Sequence, residues 1–336
     1  MFSEYLKLAR SFNITLTGFA PVMGAFAMGQ TDLFILFLLF VVGCLGHAYG
    51  FTHNDIVDYQ HDIHIPEIAA RPLVKGTISK KQAWLFACFC LLAAGLIVVY
   101  LSTTTSRYLS LGIFCLPVLC VTLYNYIGKR FPFMDIILAL GMFFLILWAA
   151  LTQTNDVHQV NFVTWILCVL GAIQVLYMNV IAGGLKDIRH DTQKGAQTTA
   201  VWLGVRVTDT KLFIPLTFIL LAFSLQILNI IAVFLPFFFD SFVRTSSLFG
   251  DLQLGILLLI SAGMLFFAGR LLTLTQFDRA TVRRLIGIQY YLNFCLAPLL
   301  LLQLSVWAIV LIWIPLLGFI LSNLLLHEKF MEPEVM

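Results

Sequence analysis

Three aspartates with helical spacing follow the second long apolar stretch of this sequence. Asp55, Asp58 and Asp62 stand at i, i+3 and i+7, so they share one face if the preceding helix continues through them. Like charges on one face repel, and the arrangement becomes favourable when a hard cation lies among the carboxylates. Oxygen ligands suit Mg²⁺, which in turn prefers the phosphate oxygens of a substrate. The cluster therefore predicts a magnesium site that also binds a phosphorylated ligand.

A second acidic pair occurs far downstream, in the sequence Lys186-Asp187-Ile188-Arg189-His190-Asp191. Asp187 and Asp191 stand at i and i+4, which again places both carboxylates on one face of a helix. The chain therefore carries two acidic clusters.

Cations accompany the first cluster in the segment from Arg71 to Ser79. Arg71 and Lys75 could bind the phosphate oxygens that Mg²⁺ does not reach, arginine in a bidentate manner and lysine as a point charge. The alternative interpretation is that both anchor the chain at the positive side of a membrane.

Phenols and cations also occur together at the end of the fourth apolar stretch. The residues are Tyr124, Tyr126, Lys129 and Arg130. They are candidate substrate contacts, and the alternative is an interfacial belt of aromatic residues with snorkelling cations. His61, His64 and His190 are weaker candidates for a base, with solvated loop positions as the alternative.

The composition excludes a soluble globular protein. Of the 336 residues 60% are hydrophobic and only 11% are charged, and the mean hydropathy is +0.96, so the chain is predicted to be an integral membrane protein. A net charge of +3 without a basic run gives no indication of a nucleic-acid partner. All seven cysteines lie in apolar stretches without metal-ligand spacing, which favours small buried side chains over disulfides or a metal site.

Apolar stretches of about 20 residues are long enough to span a bilayer as helices. They fall at 13–30, 33–52, 83–101, 108–126, 133–152, 161–183, 212–236, 252–273, 284–303 and 305–326. No charged residue separates Arg284 from His327, so the last two stretches divide only by length and proline positions. The prediction is an all-α polytopic membrane protein with nine transmembrane helices, or ten if that last division holds, in one domain over residues 1–336.

Lysine and arginine are distributed unequally between the two predicted sides. The N-terminus and the loops after stretches two, four, six and eight hold nearly all of the 20 such residues, whereas the other side holds only Arg107 and Arg244. Because cytoplasmic loops carry the excess of positive charge, segments 53–82 and 184–211 are predicted to form a cytoplasmic cap. An anionic substrate would be attracted to that side.

Three motifs together resemble the UbiA superfamily of intramembrane prenyltransferases. They are NDxxDxxxD from Asn54 to Asp62, RPLxxG from Arg71 to Gly76, and DxxxD from Asp187 to Asp191. Asn13 also matches an asparagine that is usual in the first helix of the family. The resemblance covers Arg10 to about Thr199, and the last helices match only in being apolar.

The resemblance implies a bundle of typically nine helices around a central cavity, with cytoplasmic loops that close over an isoprenyl diphosphate. It implies that the five aspartates hold Mg²⁺ against the diphosphate from two sides. It suggests Asn54, Arg71, Lys129 and Lys186 as polar contacts of the diphosphate. Together with the residues named above, the candidate substrate-binding residues are Asn13, Asn54, Arg71, Lys75, Tyr126, Arg130 and Lys186, and Tyr124 and Lys129 are candidate catalytic groups beside the aspartates. The family commonly has YxxxK, whereas here Tyr124 precedes Lys129 by five positions and Tyr126 precedes it by three, so either tyrosine is a candidate.

The function predicted from these residues is Mg²⁺-dependent transfer of an isoprenyl group from its diphosphate to a lipophilic or aromatic acceptor. Such acceptors occur in quinone, haem, chlorophyll-type or ether-lipid biosynthesis. One alternative is a membrane-embedded terpene cyclase, which would quench the same allylic cation internally. Another is a cation-coupled transporter, although transporter sites tend to lie on broken helices near the bilayer midplane, and the acids here lie at helix ends on one side.

Overall fold

The computed structural model describes residues 1–63, 68–239 and 248–327. His64 therefore lies outside the described residues. The α-helices are α1 Phe2–Leu8, α2 Ile14–Ala27, α3 Leu33–Asp62, α4 Pro72–Lys75, α5 Lys80–Thr104, α6 Tyr108–Ile127, α7 Asp135–Ala150, α8 Phe162–Leu176, α9 Gly184–Gln193, α10 Thr199–Trp202, α11 Leu216–Phe238, α12 Leu248–Leu272, α13 Arg279–Leu301 and α14 Val310–His327. One short antiparallel hairpin joins β1 Arg206–Thr208 to β2 Lys211–Phe213.

Each of the ten apolar stretches contains a helix. Eight helices among the described residues are long and apolar enough to span a membrane, and α7 is a shorter apolar helix. The last two apolar stretches, 284–303 and 305–326, form separate helices, because a 3₁₀ turn at Val306–Ile309 separates α13 from α14. The all-α polytopic membrane fold predicted from the sequence is confirmed.

The chain divides into two compact units. The first contains Met1–Tyr126, Phe144–Thr164 and the chain from Trp313 onward, and the second contains Ile127–Phe143 and Trp165–Ile312. The first unit carries Asp55, Asp58 and Asp62, and the second carries the other two aspartates. A single functional domain over residues 1–336 stays a prediction.

In the first unit, α2 and α3 approach each other at the level of their backbones. A β-carbon on Gly43 would lie 2.8 Å from the Cα atom of Gly18 and 2.9 Å from the carbonyl oxygen of Thr17. Glycine is therefore required at this crossing. The close contact places the beginning of α2, and the residues that precede it, along the face of α3 that ends in the aspartates.

In the second unit, α8 continues into α9 through a π-helical segment, Tyr177–Gly183. Wide π turns inside α-helices are often found at functional sites, and this one ends four residues before Asp187. Amide side chains connect two further helices, since Gln226 of α11 donates to Gln289 of α13 at 2.9 Å. Hydrogen bonds of this kind stabilise helix pairs in lipid, where apolar contact supplies little driving force.

Candidate active site

The first acidic cluster lies at the end of α3, which continues as a helix through Asp62. The condition for a shared face is therefore met. Asp55, Asp58 and Asp62 are only 4%, 8% and 3% exposed. Buried carboxylates are costly unless cations or hydrogen bonds compensate them.

Two arginines compensate this cluster. Arg71 Nη1 lies 2.7 Å from Asp62 Oδ2 and 3.5 Å from Asp55 Oδ1, and Arg10 Nη2 lies 2.9 Å from the same Asp55 oxygen. Arg71 occupies the N-cap of α4 in an extended conformation, and Pro72 follows at the first helical position, where its fixed φ is already suitable for a helix. The local sequence therefore fixes the backbone from which Arg71 reaches the carboxylates.

The contact of Arg10 with Asp55 was missed by sequence reasoning, in which this residue counted only among the cations that set orientation. Arg10 and Asp55 are 45 positions apart, and no local periodicity connects residues at that distance. The available signal was the position of Arg10 three residues before Asn13, at the start of the first apolar stretch.

Asparagines border the cluster. Asn54 donates to Asn125 Oδ1 at 3.5 Å, and Asn125 in turn donates to the carbonyl oxygen of Gly50 at 3.0 Å. Asn13 is 8% exposed, and its Oδ1 atom has no hydrogen-bond partner among the described residues. Because buried polar atoms are normally paired, this oxygen is a candidate acceptor for a ligand.

Other predicted contacts in the first unit are more exposed. Lys75 is exposed at the end of α4 and acts electrostatically on Glu4 of α1. Burial raises the pKa of Glu4, but a hydrogen bond from Thr77 and the charge of Lys7 outweigh it, and the pKa lies below its usual value. Lys75 thus acts electrostatically on the N-terminal helix, whereas Arg71 contacts the aspartates directly.

The two tyrosines near the end of α6 differ in exposure. Tyr126 is 47% exposed, and its ring meets that of His53 edge to face with centroids 5.2 Å apart. Tyr124 is half-buried. The greater burial makes Tyr124 the better candidate for a water-poor site.

The second acidic cluster lies on α9. Asp187 is 37% exposed at its side chain, with Lys186 Nζ 3.3 Å from Oδ2 and Arg279 Nη2 3.4 Å from Oδ1. Asp191 is 7% exposed, and its Oδ2 atom accepts a hydrogen bond from Thr198 at 3.3 Å. Sequence reasoning proposed Lys186 and missed the contact of Arg279, which lies 92 positions away.

Lys129 belongs to the surroundings of Asp191. Its carbonyl oxygen accepts from the backbone N–H of Gln197 at 3.0 Å, and its charge acts electrostatically on Asp191. Arg130 is exposed. Asp135 accepts a hydrogen bond from Thr199 at 3.4 Å.

The cap of α13 positions Arg279. Asp278 accepts hydrogen bonds from the backbone of Ala280 and Thr281, which satisfies donors at the helix start. The Thr281 side chain, with these backbone donors, holds the pKa of Asp278 below its usual value. An ionised cap thus fixes the first turn of α13, from which Arg279 reaches Asp187.

The donor atoms fit a magnesium ion chemically. Among the described residues no group of three or more His, Cys, Asp or Glu side chains forms a ready-made metal cage. Mg²⁺ is commonly held by one or two carboxylates together with substrate phosphates and waters, so a cage built from protein alone is not required. Asp55, Asp58 and Asp62 would supply buried oxygen ligands in one cluster, and Asp187 and Asp191 would supply oxygen ligands in the other.

Sequence comparisons identify one family and relatives with two different names. The sequence model of the UbiA prenyltransferase family matches residues 14–279. The digeranylgeranylglyceryl phosphate synthase of Thermococcus kodakarensis is 27% identical over 296 residues, which cover 84% of this chain and 91% of that protein. The 4-hydroxybenzoate octaprenyltransferase of Saccharophagus degradans is 29% identical over 207 residues, which cover 60% of this chain and 66% of that protein.

Solved structures share the fold. A UbiA homologue from Aeropyrum pernix gives a TM-score of 0.64 at 16% identity, over 88% of this chain and 97% of that chain. A UbiA homologue from Archaeoglobus fulgidus, bound to GPP and Mg²⁺, gives 0.58 at 16% identity, over 88% and 98%. The helical architecture described above is therefore also found in experimental structures.

Proposed function

Because the chain belongs to the UbiA prenyltransferase family, we propose that it transfers an isoprenyl group from an isoprenyl diphosphate to a lipophilic or aromatic acceptor with the help of Mg²⁺. The observation that carries this proposal is the cluster in which Asp55 and Asp62 face Arg10 and Arg71. Carboxylates bind the metal and guanidiniums bind phosphate oxygens. A magnesium diphosphate needs both kinds of group in one place.

Mg²⁺, when bound, neutralises the charge that develops on the departing diphosphate. Asp55, Asp58 and Asp62 of the first unit would offer oxygen ligands to such an ion, and so would Asp187 and Asp191 of the second unit. Arg71, Lys129 and Lys186 add positive charge, and preorganised donors of this kind commonly contribute a large share of catalysis. Asn13 Oδ1, buried and without a partner among the described residues, is proposed as a further contact on the metal side of the ligand, because an amide oxygen cannot donate to diphosphate.

Loss of diphosphate leaves an allylic cation at the isoprenyl C1 atom. Water would consume this cation, so the reaction needs water-poor surroundings. The chain is rich in apolar side chains and has 31 Phe, and aromatic faces stabilise positive charge. The membrane-spanning helices can therefore protect the cation until the acceptor attacks it.

Two acceptor classes are suggested by the names of the relatives, a glycerol phosphate lipid and a hydroxybenzoate. The match to the digeranylgeranylglyceryl phosphate synthase extends over 84% of the chain, whereas the match to the octaprenyltransferase extends over 60%. The wider match favours the glycerol phosphate lipid. Both acidic clusters lie in segments on the side where lysine and arginine concentrate. That side is usually the cytoplasmic one, so we place the reaction there.

The test is to identify the product made by the purified protein in detergent with Mg²⁺. Geranyl, farnesyl and geranylgeranyl diphosphates are offered with geranylgeranylglyceryl phosphate, with 4-hydroxybenzoate, or with no acceptor. We expect diphosphate release that depends on one acceptor, together with the prenylated acceptor by mass spectrometry. Release without an acceptor, with a cyclic product, would instead support a cyclase, and no release from any donor would contradict the proposal.

A further inference from the structure

Arg10 has an unusual backbone conformation. Its φ and ψ angles are 47° and 54°, in the left-handed region, which is unfavourable for a residue with a β-carbon. The carbonyl oxygen of Arg10 lies 3.3 Å from His47 Nε2 and accepts a hydrogen bond from the backbone N–H of Asn13 at 3.2 Å. A carbonyl can only accept, so His47 Nε2 donates. Burial of His47 disfavours the charged ring, so Nδ1 accepts a hydrogen bond from the hydroxyl of Thr17 at 2.8 Å.

The side chain of Arg10 is held by the same face of α3. Its Cζ atom lies 4.7 Å from the ring centroid of Phe51, and its Nη2 atom lies 2.9 Å from Asp55 Oδ1. His47, Phe51 and Asp55 stand at i, i+4 and i+8, which places them in one row along the helix. Three residues in one row of α3 therefore contact Arg10. His47 contacts its backbone carbonyl, Phe51 the face of its guanidinium, and Asp55 one of its guanidinium nitrogens.

The N-terminal helix supports this arrangement from the other side. Leu8 of α1 is fully buried in a cluster with Ile56 and Leu73, residues that neighbour Asp55 and Arg71 in the sequence. Glu4 accepts a hydrogen bond from Thr77 at 2.9 Å. The segment that carries Arg10 is thus packed against both of the elements that carry the other charged groups.

Stability alone does not account for the Arg10–Asp55 pair. The two side chains are only 12% and 5% exposed, and burying an ion pair commonly costs as much desolvation as it gains in attraction. The strained backbone adds a further cost. Strained conformations that the surrounding structure enforces concentrate at functional sites, where they preorganise a group.

Arg10 also limits how closely Arg71 can approach Asp55. Asp55 Oδ1 lies between the two guanidiniums, at 2.9 Å from Arg10 and 3.5 Å from Arg71. Without Arg10, Arg71 could close on Asp55 as well as on Asp62. The carboxylate of Asp55 would then turn toward Arg71, away from its present direction.

We propose that Arg10 is a positioning residue for Asp55, fixing the carboxylate in the direction in which it meets Mg²⁺ and diphosphate. Arg10 is itself held in place by three groups of α3, which are the ring nitrogen of His47, the face of Phe51 and the Asp55 carboxylate. The proposal rests on the proposed function, since it assigns a role toward the same metal and the same diphosphate.

The test measures binding of inorganic diphosphate in the presence of Mg²⁺ by calorimetry, with the full-length protein in detergent. The variants are Arg10→Gln and Arg10→Lys, with Asp55→Asn as reference. Lys7→Gln is the matched control, because it removes one positive charge from the same N-terminal segment at a side chain whose ion pair is with Glu4. Donor KM and kcat are measured in parallel, and the melting temperature of each variant is recorded.

We expect Arg10→Gln to weaken diphosphate binding about 10- to 100-fold, as typical substitutions next to metal ligands do, at an almost unchanged melting temperature. Arg10→Lys should fall between Arg10→Gln and the wild type, because lysine keeps the charge and loses the planar fork. Lys7→Gln should bind like the wild type. The loss should appear in kcat at saturating donor as well as in KM, since a misdirected Asp55 also weakens stabilisation of the departing diphosphate.

Wild-type binding by both Arg10 variants, alongside a loss in Asp55→Asn, would overturn the role of Arg10 and leave the proposed function standing. If Arg10→Gln does not fold, Arg10→Lys decides: an intermediate loss supports the proposal, and wild-type binding overturns it. Absence of Mg²⁺-dependent diphosphate binding by the wild type would instead overturn the proposed function itself.

Discussion

At the residue scale, the molecule buries carboxylates, whose desolvation costs free energy. Asp55, Asp58 and Asp62 are buried at the end of an apolar helix, and guanidiniums contact two of them. Replacing such a group by hydrophobic residues would often cost no stability. The burial of these charges is consistent with the proposed binding of Mg²⁺ and diphosphate.

We expect Asp55→Asn and Asp191→Asn each to lower kcat by roughly 100-fold or more, the range seen when one preorganised stabilising group is removed. Asparagine keeps the shape of the side chain and one acceptor oxygen, so both variants should remain folded in size-exclusion chromatography. Asp251→Asn, an exposed acid in the first turn of α12, is the control and should retain turnover. Near-normal turnover in both site variants would contradict the role of the two clusters.

Sequence spacing predicted the aspartates because a helix brings i, i+3 and i+7 together without help from the rest of the fold. The same reasoning could not predict the contacts of Arg10 with Asp55 or of Arg279 with Asp187. Those contacts depend on how α1 and α13 pack against distant helices. Local periodicity carries no information on that packing.

At the element scale, the α2–α3 crossing determines where Arg10 and Asn13 lie relative to Asp55. Gly43 allows the two helices to approach, because a β-carbon there would lie 2.8 Å from the Cα atom of Gly18. The sequence predicted both helices from their apolar length. It did not predict this crossing or the π-helical segment before α9, since each depends on hydrogen bonds and contacts that hydropathy does not encode.

Gly43→Ala should lower stability by about 1–3 kcal/mol, the usual cost of adding a methyl group to a closely packed contact. Thermal unfolding in one detergent would show the loss as a lower melting temperature, and activity should fall with it as α2 moves away from α3. Gly46→Ala is the matched control three positions further along α3. Nothing lies within 4 Å of its added β-carbon among the described residues, so it should melt at or above the wild-type temperature. Equal melting temperatures would show that the crossing is not tight.

At the scale of the whole molecule, the uneven distribution of lysine and arginine predicts the orientation. The end of α5 and the start of α6 belong to the side that holds few positive charges, and the start of α5 belongs to the other side. Cytoplasmic segments carry the excess of positive charge. Both acidic clusters are therefore expected to face the cytoplasm.

Thiol labelling in intact cells tests this orientation. Cysteine introduced at exposed Ser106 should react with a membrane-impermeant reagent added outside, whereas cysteine at exposed Lys81 should react only after permeabilisation. The parent protein, whose seven cysteines lie in apolar stretches, is the control for background labelling. The reverse pattern would place the acidic clusters on the outer side.

The most direct test of the central claim is diphosphate release from geranylgeranyl diphosphate under metal control. Purified wild-type protein, supplied with an acceptor, is assayed with Mg²⁺, then with excess EDTA, then after Mg²⁺ is added back. Because the proposed mechanism requires the aspartates to act through the ion, we expect release with Mg²⁺, none with EDTA, and recovery on addition of Mg²⁺. Release that continues unchanged in EDTA would contradict a mechanism in which these carboxylates hold a metal against the diphosphate.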